Sequence, residues 1–380
     1  MLLSKLILVN FRNYENVVIH FNSKINFLIG LNAQGKTNIL EAIYLLCLGR
    51  SFRFAKNQEL LKINKSYFII EGKIKKDNSL SKRVIIQYKK NGKKEISIDR
   101  KKVAKNSDFF GKFPIVALSP DDYKITTGSP SERRRFIDLL LSQVSISYLQ
   151  NLQEYHKILK QRNKILQDFK GGRSYTVMAI EPWTQSLVRV GSLLMAERFR
   201  FISDFAIILS EVYKSFVDAN DQLTLSLVPS FEVMQKKSIE DNFLDNLKKK
   251  ETTERWMGST VVGPHRDDLE FKINDQNLRK YGSRGEHKSV IIALKLAEYK
   301  FLKQKKAETP VFLLDDFGSE LDDVRQQKIF LSFEGQGQMF FTSPNEQVLK
   351  FPGLDKYQPH DVSVFFIKDG LVEEHEKERT

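Results

Sequence analysis

Gly30-Leu31-Asn32-Ala33-Gln34-Gly35-Lys36-Thr37 is a complete Gly-x-x-x-x-Gly-Lys-Thr, and Asn38 follows it. An apolar run, Ile25-Asn26-Phe27-Leu28-Ile29, leads in, and an amphipathic pattern at Ile39, Leu40, Ala42, Ile43 and Leu46 leads out. Strand, glycine-bounded loop and helix start, in that order, form the context a phosphate-binding loop requires. The glycines let successive backbone N–H groups turn inward on a β-phosphate, beside a helix N-terminus that favours negative charge. Gly30 through Asn38 are therefore expected to cradle a nucleoside triphosphate. Lys36 would reach its β/γ-phosphates, and the Thr37 hydroxyl would ligate Mg2+.

A second stretch supplies what this loop lacks. Val311-Phe312-Leu313-Leu314 is a buried-strand pattern that ends in two carboxylates, Asp315 and Asp316. A parallel strand delivering an acid at its C-terminal end is where such a site needs its magnesium-organising aspartate, the role expected of Asp315. Asp316, one residue further, is expected to orient or deprotonate the attacking water. Two adjacent carboxylates repel, and a shared divalent ion would relieve that repulsion. Some thirty residues upstream, Tyr281-Gly282-Ser283-Arg284-Gly285-Glu286 precedes a helical pattern. Ser283 and Gly285 there form a second anion-accepting helix start.

The totals set outer limits. The 380 residues suffice for two or three domains, and 41% hydrophobic with 28% charged residues is ordinary for a soluble globular protein. No apolar stretch approaches the roughly 18 residues of a membrane span. The apolar start, Met1 to Asn10, lacks a basic region and a cleavage site, so it reads as a first strand. The single cysteine, Cys47, excludes an intrachain disulfide and points to a reducing compartment, most simply the cytoplasm. Lysine and arginine exceed the acids by 61 − 47 = 14, a balance that suits a polyanionic partner such as nucleic acid.

Along the chain the character changes twice. Strand patterns fill residues 1 to about 118, at Leu3–Phe11, Val17–Phe21, Ile25–Ile29, Tyr67–Ile74, Arg83–Tyr88, Glu95–Asp99 and Ile115–Leu118. Helical patterns follow: one starting at Ser131 as a plausible cap, one over Ser145–Phe169 broken at Gly171-Gly172-Arg173, and one from Pro182 to about Val217. They predict an inserted helical arm or bundle too short for a long coiled coil. After short mixed elements, alternation resumes with strands at Asp268–Ile273, Val311–Leu314, Met339–Thr342 and Val362–Lys368 and helices at Glu286–Leu302 and Asp322–Phe333. The expected organisation is one nucleotide domain from residues 1–120 and 255–380, interrupted by a mainly helical domain over 121–254.

Several further stretches share one pattern. They are Asn10-Phe11-Arg12-Asn13-Tyr14, Asn38-Ile39-Leu40-Glu41-Ala42, Leu48-Gly49-Arg50-Ser51-Phe52-Arg53, Ser119-Pro120-Asp121-Asp122, Gly128 through Asp138, Gly263-Pro264-His265-Arg266-Asp267-Asp268-Leu269, and Ser319-Glu320-Leu321-Asp322. With the loop, the Ser283 stretch and the paired aspartates, they resemble the ABC-type ATPase heads of the SMC-like superfamily. In detail they resemble the RecF family of bacterial recombination mediators, over nearly the whole chain and in the family's order.

The resemblance implies an α/β fold: an ABC-type P-loop ATPase head with mixed sheets plus an inserted helical domain. It implies ATP and Mg2+ as ligands, with Ser283, Arg284, Gly285 and Glu286 acting in trans on ATP held by a second protomer. Ser319 and Asp322 would help to seal that ATP-dependent homodimer. It further implies a weak ATPase used as a switch, binding to duplex DNA and single-strand/double-strand junctions, and work with RecR and RecO in loading recombinase at gaps. A structural, chromosome-organising head of SMC type is the alternative.

Departures from the family pattern are local. Arg284 stands where the family usually has Gln, and Glu286-His287-Lys288 replaces the commoner Gln-Gln-Arg. Thr342 stands where transporter ATPases carry a switch His, and no Gln occupies the expected place near Ser119, which argues against a transporter. For DNA, the candidates are Arg133, Arg134, Arg135, Lys101 and Lys102. Edge-blocking lysines are the plainer account of the Lys89–Lys105 run. His265-Arg266-Asp267-Asp268 reads as a hydrogen-bonded corner sooner than as a metal site.

Overall fold

The computed structural model describes residues 1–77, 80–171, 179–215, 217, 221–234, 236–316, 337–350 and 354–375. It divides into two compact units, Met1–Asp122 with Ile292–Thr380, and Tyr123–Ile291.

The first unit opens with three strands, β1 (Leu2–Phe11), β2 (Tyr14–His20) and β3 (Ile25–Ile29), followed by helix α1 (Lys36–Leu48). Then come β4 (Tyr67–Lys75), β5 (Ser81–Lys89), β6 (Glu95–Ile98), β7 (Lys101–Lys102) and β8 (Ile115–Leu118). An antiparallel sheet runs β2-β1-β4-β5-β6-β7. Its strands alternate buried and open positions, the mark of a sheet with one covered face.

The second unit contains α2 (Tyr123–Thr127), α3 (Pro130–Val144), α4 (Ile146–Lys170), α5 (Glu181–Lys214), β9 (Leu223–Val228), α6 (Ile239–Lys249) and α7 (Glu251–Met257). It continues through β10 (Asp268–Ile273), β11 (Gln276–Asn277) and α8 (Leu278–Tyr281) into α9 (Arg284–Lys306). The first unit is completed by β12 (Val311–Leu314), β13 (Met339–Ser343), β14 (Val362–Lys368) and β15 (Leu371–His375).

The sheet that positions the nucleotide loop has the order β15-β14-β3-β13-β12-β8, parallel throughout except for β15. Every residue of β3, β12 and β13 is buried. Covered parallel strands read as near-continuous apolar runs, as these do. Phe27 stacks on Phe341 with ring centroids 5.1 Å apart, joining β3 to β13 through their side chains as well as their ladder.

Helix α1 is less one-sided than its apolar spacing predicts. From Ile39 to Leu48 every residue is buried, because α1 contacts β4 and β5 of one sheet and β8 and β13 of the other. A helix covered on both sides needs no polar face. The cap of α3 is also corrected: Ser129, not Ser131, is its N-cap residue, and Pro130 takes the first helical position, where its fixed φ fits and its missing N–H costs nothing. The compact division returns to the first unit at Ile292, beyond the expected 254/255 boundary. The intervening residues pack within the second unit: β10 pairs with β9, and α7 contacts α4. The expected helix over Asp322–Phe333 lies outside the described residues.

A polar ladder holds the second unit together. Tyr148, Tyr155 and Arg162 recur every seven residues on the buried side of α4. Tyr148 Oη donates to Asp138 Oδ1 at 2.5 Å, and Arg162 donates to Glu254 at 2.7 Å and to the Thr260 hydroxyl at 2.7 Å. Between them, Tyr155 Oη meets His265 Nδ1 at 2.7 Å, while His265 Nε2 lies 3.1 Å from the Thr260 carbonyl. A carbonyl only accepts, so Nε2 carries the proton and Nδ1 accepts from the tyrosine. His265-Arg266-Asp267-Asp268 is thus a structural corner.

Burial pushes the His265 imidazole down to about 4. Its folded-state value lies below the ordinary 6.5 of an unfolded chain, so protonation favours unfolding. Stability from this group is complete above pH 6.5 and falls by about 3 kcal/mol as pH drops towards 4. Urea unfolding at a series of pH values measures the slope, and His265→Gln is expected to flatten that part of the profile.

Candidate nucleotide site

The loop at Gly30–Thr37 is preformed, and the residues that frame it come from far along the chain. Gly30 N–H donates to Ser343 O at 3.2 Å, anchoring the loop's start to the end of β13. A Cβ at Gly30 would sit 2.2 Å from the Ile367 carbonyl oxygen, so only glycine fits there. Gly35 adopts φ 116°, and a Cβ on it would stand 2.5 Å from Asn13 Nδ2. Leu31, Asn32 and Ala33 form the exposed tip. Gln34 is held at both ends: its carbonyl accepts from Asn13 Nδ2 at 2.8 Å, and its Oε1 accepts from Asp369 N at 2.5 Å.

Lys36 donates to the carbonyl oxygens of Gly30 at 2.5 Å and Leu31 at 2.8 Å, across the mouth of the loop. Its pKa is lowered by burial, with Asp316 and Asp315 pulling it back up. Thr37 Oγ1 donates to Asp315 Oδ1 at 2.9 Å, bringing together the hydroxyl and the carboxylate that the sequence assigned to one magnesium ion. Burial raises the Asp315 carboxyl above its usual range, while hydrogen bonds from Thr342 and Thr37 oppose the rise. A bound cation would satisfy that partly desolvated carboxylate. Glycines that tolerate no Cβ, a lysine on loop carbonyls and a threonine–aspartate pair together fit an ATP–Mg2+ site.

Sequence reading missed the framing residues. Tyr14 Oη donates to Gly35 O at 3.1 Å, and Asn38 Nδ2 donates to Asn13 Oδ1 at 2.9 Å. Asn38 therefore braces the loop through its side chain. Arg12 forks onto Glu41 with contacts of 2.8 and 3.0 Å, and Ser51 Oγ also donates to Glu41, which is fully buried. Arg53 lies 3.5 Å from Asn38 Oδ1, and its charge lowers the Asp315 pKa, which places it on the nucleotide side. The only available signal was that these residues fall in stretches carrying the family resemblance.

In the second unit, Ser283 and Arg284 are exposed at the start of α9, with Gly285 in its first turn. Ser283 Oγ accepts from Glu286 N at 3.2 Å, and Glu286 Oε2 accepts from Ser283 N at 2.6 Å. This reciprocal pair is a capping box, so Glu286 serves the helix end itself. Ser319 and Asp322 lie outside the described residues.

The arginine triplet needs correcting. Arg133 has a 3% exposed side chain and forks onto Asp268 with contacts of 2.6 and 2.9 Å, so it cannot meet a DNA backbone. Arg134 is half-buried and donates to Asp267 O at 2.6 Å. Arg135 is exposed and pairs with Glu132. Lys101 and Lys102 are exposed on the edge strand β7, with Lys102 contacting Glu95. Asp122 accepts from Ser119 N at 2.7 Å and pairs with buried Lys295 at 3.0 Å.

The comparisons agree with this geometry. A profile of the RecF/RecN/SMC N terminal domain matches residues 2–355. The DNA replication and repair protein RecF of Alkaliphilus oremlandii is 34% identical over 376 residues, covering 98% of this chain and 100% of the relative. The chain belongs to the RecF family. The RecF of Lachnoclostridium phytofermentans is 39% identical over 336 residues, covering 88% of this chain and 91% of that protein. Among solved structures, the recombination mediator RecF with ATP superposes with TM-score 0.89 at 32% identity, over 99% of this chain and 98% of that one. An Smc head bound to the C-winged helix domain of ScpA reaches TM-score 0.56 at 16% identity, covering 100% of this chain and 99% of that one. That likeness is one of fold alone; the family match and the RecF structure support the α/β ATPase-head architecture. Among the described residues, no helix is long and apolar enough to cross a membrane.

Proposed function

We propose that this RecF-family chain is an ATP-dependent, DNA-binding recombination mediator acting in DNA replication and repair. In this reading ATP–Mg2+ is held by Gly30–Asn38 and Asp315, and its binding closes a homodimer. Ser283 and Gly285 at the exposed start of α9 in each protomer complete the site of the other. The closed dimer holds duplex DNA and single-strand/double-strand junctions, slow hydrolysis releases it, and RecR and RecO are its partners in loading recombinase at gaps. The cytoplasm is its proposed compartment.

The Thr37–Asp315 contact carries the nucleotide half of the reading, because it joins two sequence motifs 278 residues apart at the point where a magnesium ion would be held. The bound ion would supply charge neutralisation across the phosphates. The protein's own groups do the rest: Lys36 meets phosphate charge, loop N–H groups orient the chain of phosphates, and Asp316 orients the attacking water. With Arg133 engaged internally, the proposed DNA contacts narrow to exposed groups such as Arg135, Lys101 and Lys102, which suit backbone binding without sequence preference.

Sedimentation with and without ATP and Mg2+ tests the dimer. A shift from monomer to dimer on adding both is expected. Ser283→Arg, which fills the helix start with a bulky side chain, is expected to abolish the shift while leaving ATP binding by the single protomer intact. A monomer under every condition would count decisively against the reading.

A further inference from the structure

We propose that Thr342 is a positioning residue for ATP hydrolysis, its one hydroxyl fixing the Asp315 carboxylate and the backbone of Asp316 together. The inference rests on the ATPase reading above and adds to it a residue outside the three motifs that define the site.

Sheet order creates the need for such a residue. The loop leaves from β3 and the paired aspartates leave from β12, yet these strands are not neighbours: β13 lies between them. In register, Phe341 stands opposite Leu314, Thr342 opposite Leu28 and Ser343 opposite Ile29. The end of β13 therefore comes level with the ends of both functional strands. Ser343 O accepts from Gly30 N on one side, at 3.2 Å. On the other side, Thr342 Oγ1 donates to Asp315 Oδ1 at 2.8 Å and accepts from Asp316 N at 2.7 Å.

The polarity of these bonds is fixed. A hydroxyl has a single proton, an ionised carboxylate can only accept, and a backbone N–H can only donate. Thr342 is 1% exposed, so water cannot replace its hydroxyl without rearrangement. Asp316 sits at φ 57°, in the left-handed region that a non-glycine residue occupies only where its surroundings hold it there. The Thr342 hydroxyl is one such hold. Without it, the Asp316 backbone loses one of its holds on the left-handed region, and a shift there would swing its side chain away from where a water must be aligned. Thr37 and Thr342 both donate to Asp315 Oδ1, so removal of Thr342 also leaves that carboxylate with one fixed donor fewer.

In the proposed site the phosphates would rest on Lys36 and the loop backbone, whereas the Thr342 hydroxyl bonds Asp315 and the Asp316 backbone. Its loss is therefore expected to appear in turnover and not in nucleotide affinity. Thr342→Val keeps the shape and removes the hydroxyl, while Thr342→Ser keeps the hydroxyl and removes the methyl. We expect Thr342→Val to bind ATP within about threefold of wild type and to lose roughly 10- to 100-fold in kcat with KM little changed. Its ATP-formed dimer is expected to outlive the wild-type dimer by a similar factor after ATP is diluted away, a readout independent of product formation. Thr342→Ser is expected to restore both. If the valine variant fails to fold, Thr342→Ser against Thr342→Ala gives the same comparison. Wild-type turnover in Thr342→Val, or a serine variant as impaired as the valine one, would overturn the proposal. Turnover that survives Lys36→Ala would overturn the underlying ATPase reading instead, so the two failures are distinguishable.

Discussion

Arg198→Met is expected to destabilise the second unit by about 3–5 kcal/mol. Arg198 is 2% exposed and ties four groups together. Its Nη2 meets Asp138 at 2.8 Å, Nη1 meets the Pro264 carbonyl at 2.6 Å and Asp267 at 3.3 Å, and Nε donates to Tyr148 Oη at 3.1 Å. Burial works against the guanidinium's charge, and Asp138, Tyr148 and Asp267 more than restore it, holding its pKa well above the ordinary value. Methionine matches the stem but strands two carboxylates, one of them, Asp267, fully buried. The cost comes chiefly from that uncompensated charge. Thermal unfolding followed by circular dichroism should show a midpoint lower by roughly ten degrees. Arg198→Lys, which keeps charge and loses the fork, is expected to fall between. A change below about 1 kcal/mol would mean the network relaxes around the loss.

The second large effect is functional. Lys36→Ala is expected to lower ATP affinity and turnover by roughly a hundredfold or more, because a cation at the loop's mouth is removed. Lys36→Arg separates the two losses. It keeps the charge, but the space bounded by the Gly30 and Leu31 carbonyls, 2.5 and 2.8 Å from Nζ, admits a compact ammonium and not a planar fork. Binding within about tenfold of wild type, with turnover lowered roughly a hundredfold, is the expected pattern. Equilibrium titration with a fluorescent ATP analogue and a phosphate-release assay measure the two quantities. Unimpaired hydrolysis by Lys36→Ala would remove the loop from the chemistry.

What the chain disclosed in one dimension was whatever is encoded locally. Gly30–Thr37 between an apolar strand and an apolar helix, and Val311–Leu314 ending in Asp315, each state their role within a dozen residues. Features set by distant pairing were not legible. Leu223–Val228 alternates apolar and polar residues, yet its partner β10 lies some forty residues on, and only the pairing turns the pattern into a sheet. Asn13 and Tyr14 gained their roles by folding back onto Gln34 and Gly35.

Charge was the least legible property. Successive residues of a helix point about 100° apart. Arg133, Arg134 and Arg135 therefore differ in fate, as a buried fork, a half-buried donor and an exposed partner of Glu132, although they look equivalent in sequence. Arg162, Arg198 and Lys295 are likewise internal, but each pairs with a buried acid, Glu254, Asp267 and Glu298, so they take nothing from the basic excess that suggested a polyanion.

The recurrence of Tyr148, Tyr155 and Arg162 on α4 also limits how the helical unit can move. Each engages a different counterpart, like teeth in a rack, so sliding α4 by one turn, about 5.4 Å, would leave three polar groups facing the wrong notch. Ratcheting of packed helices, a common way for proteins to pass on a signal, is thereby closed to it. A movement of α4 must therefore carry Asp138, His265 and Glu254 along with it.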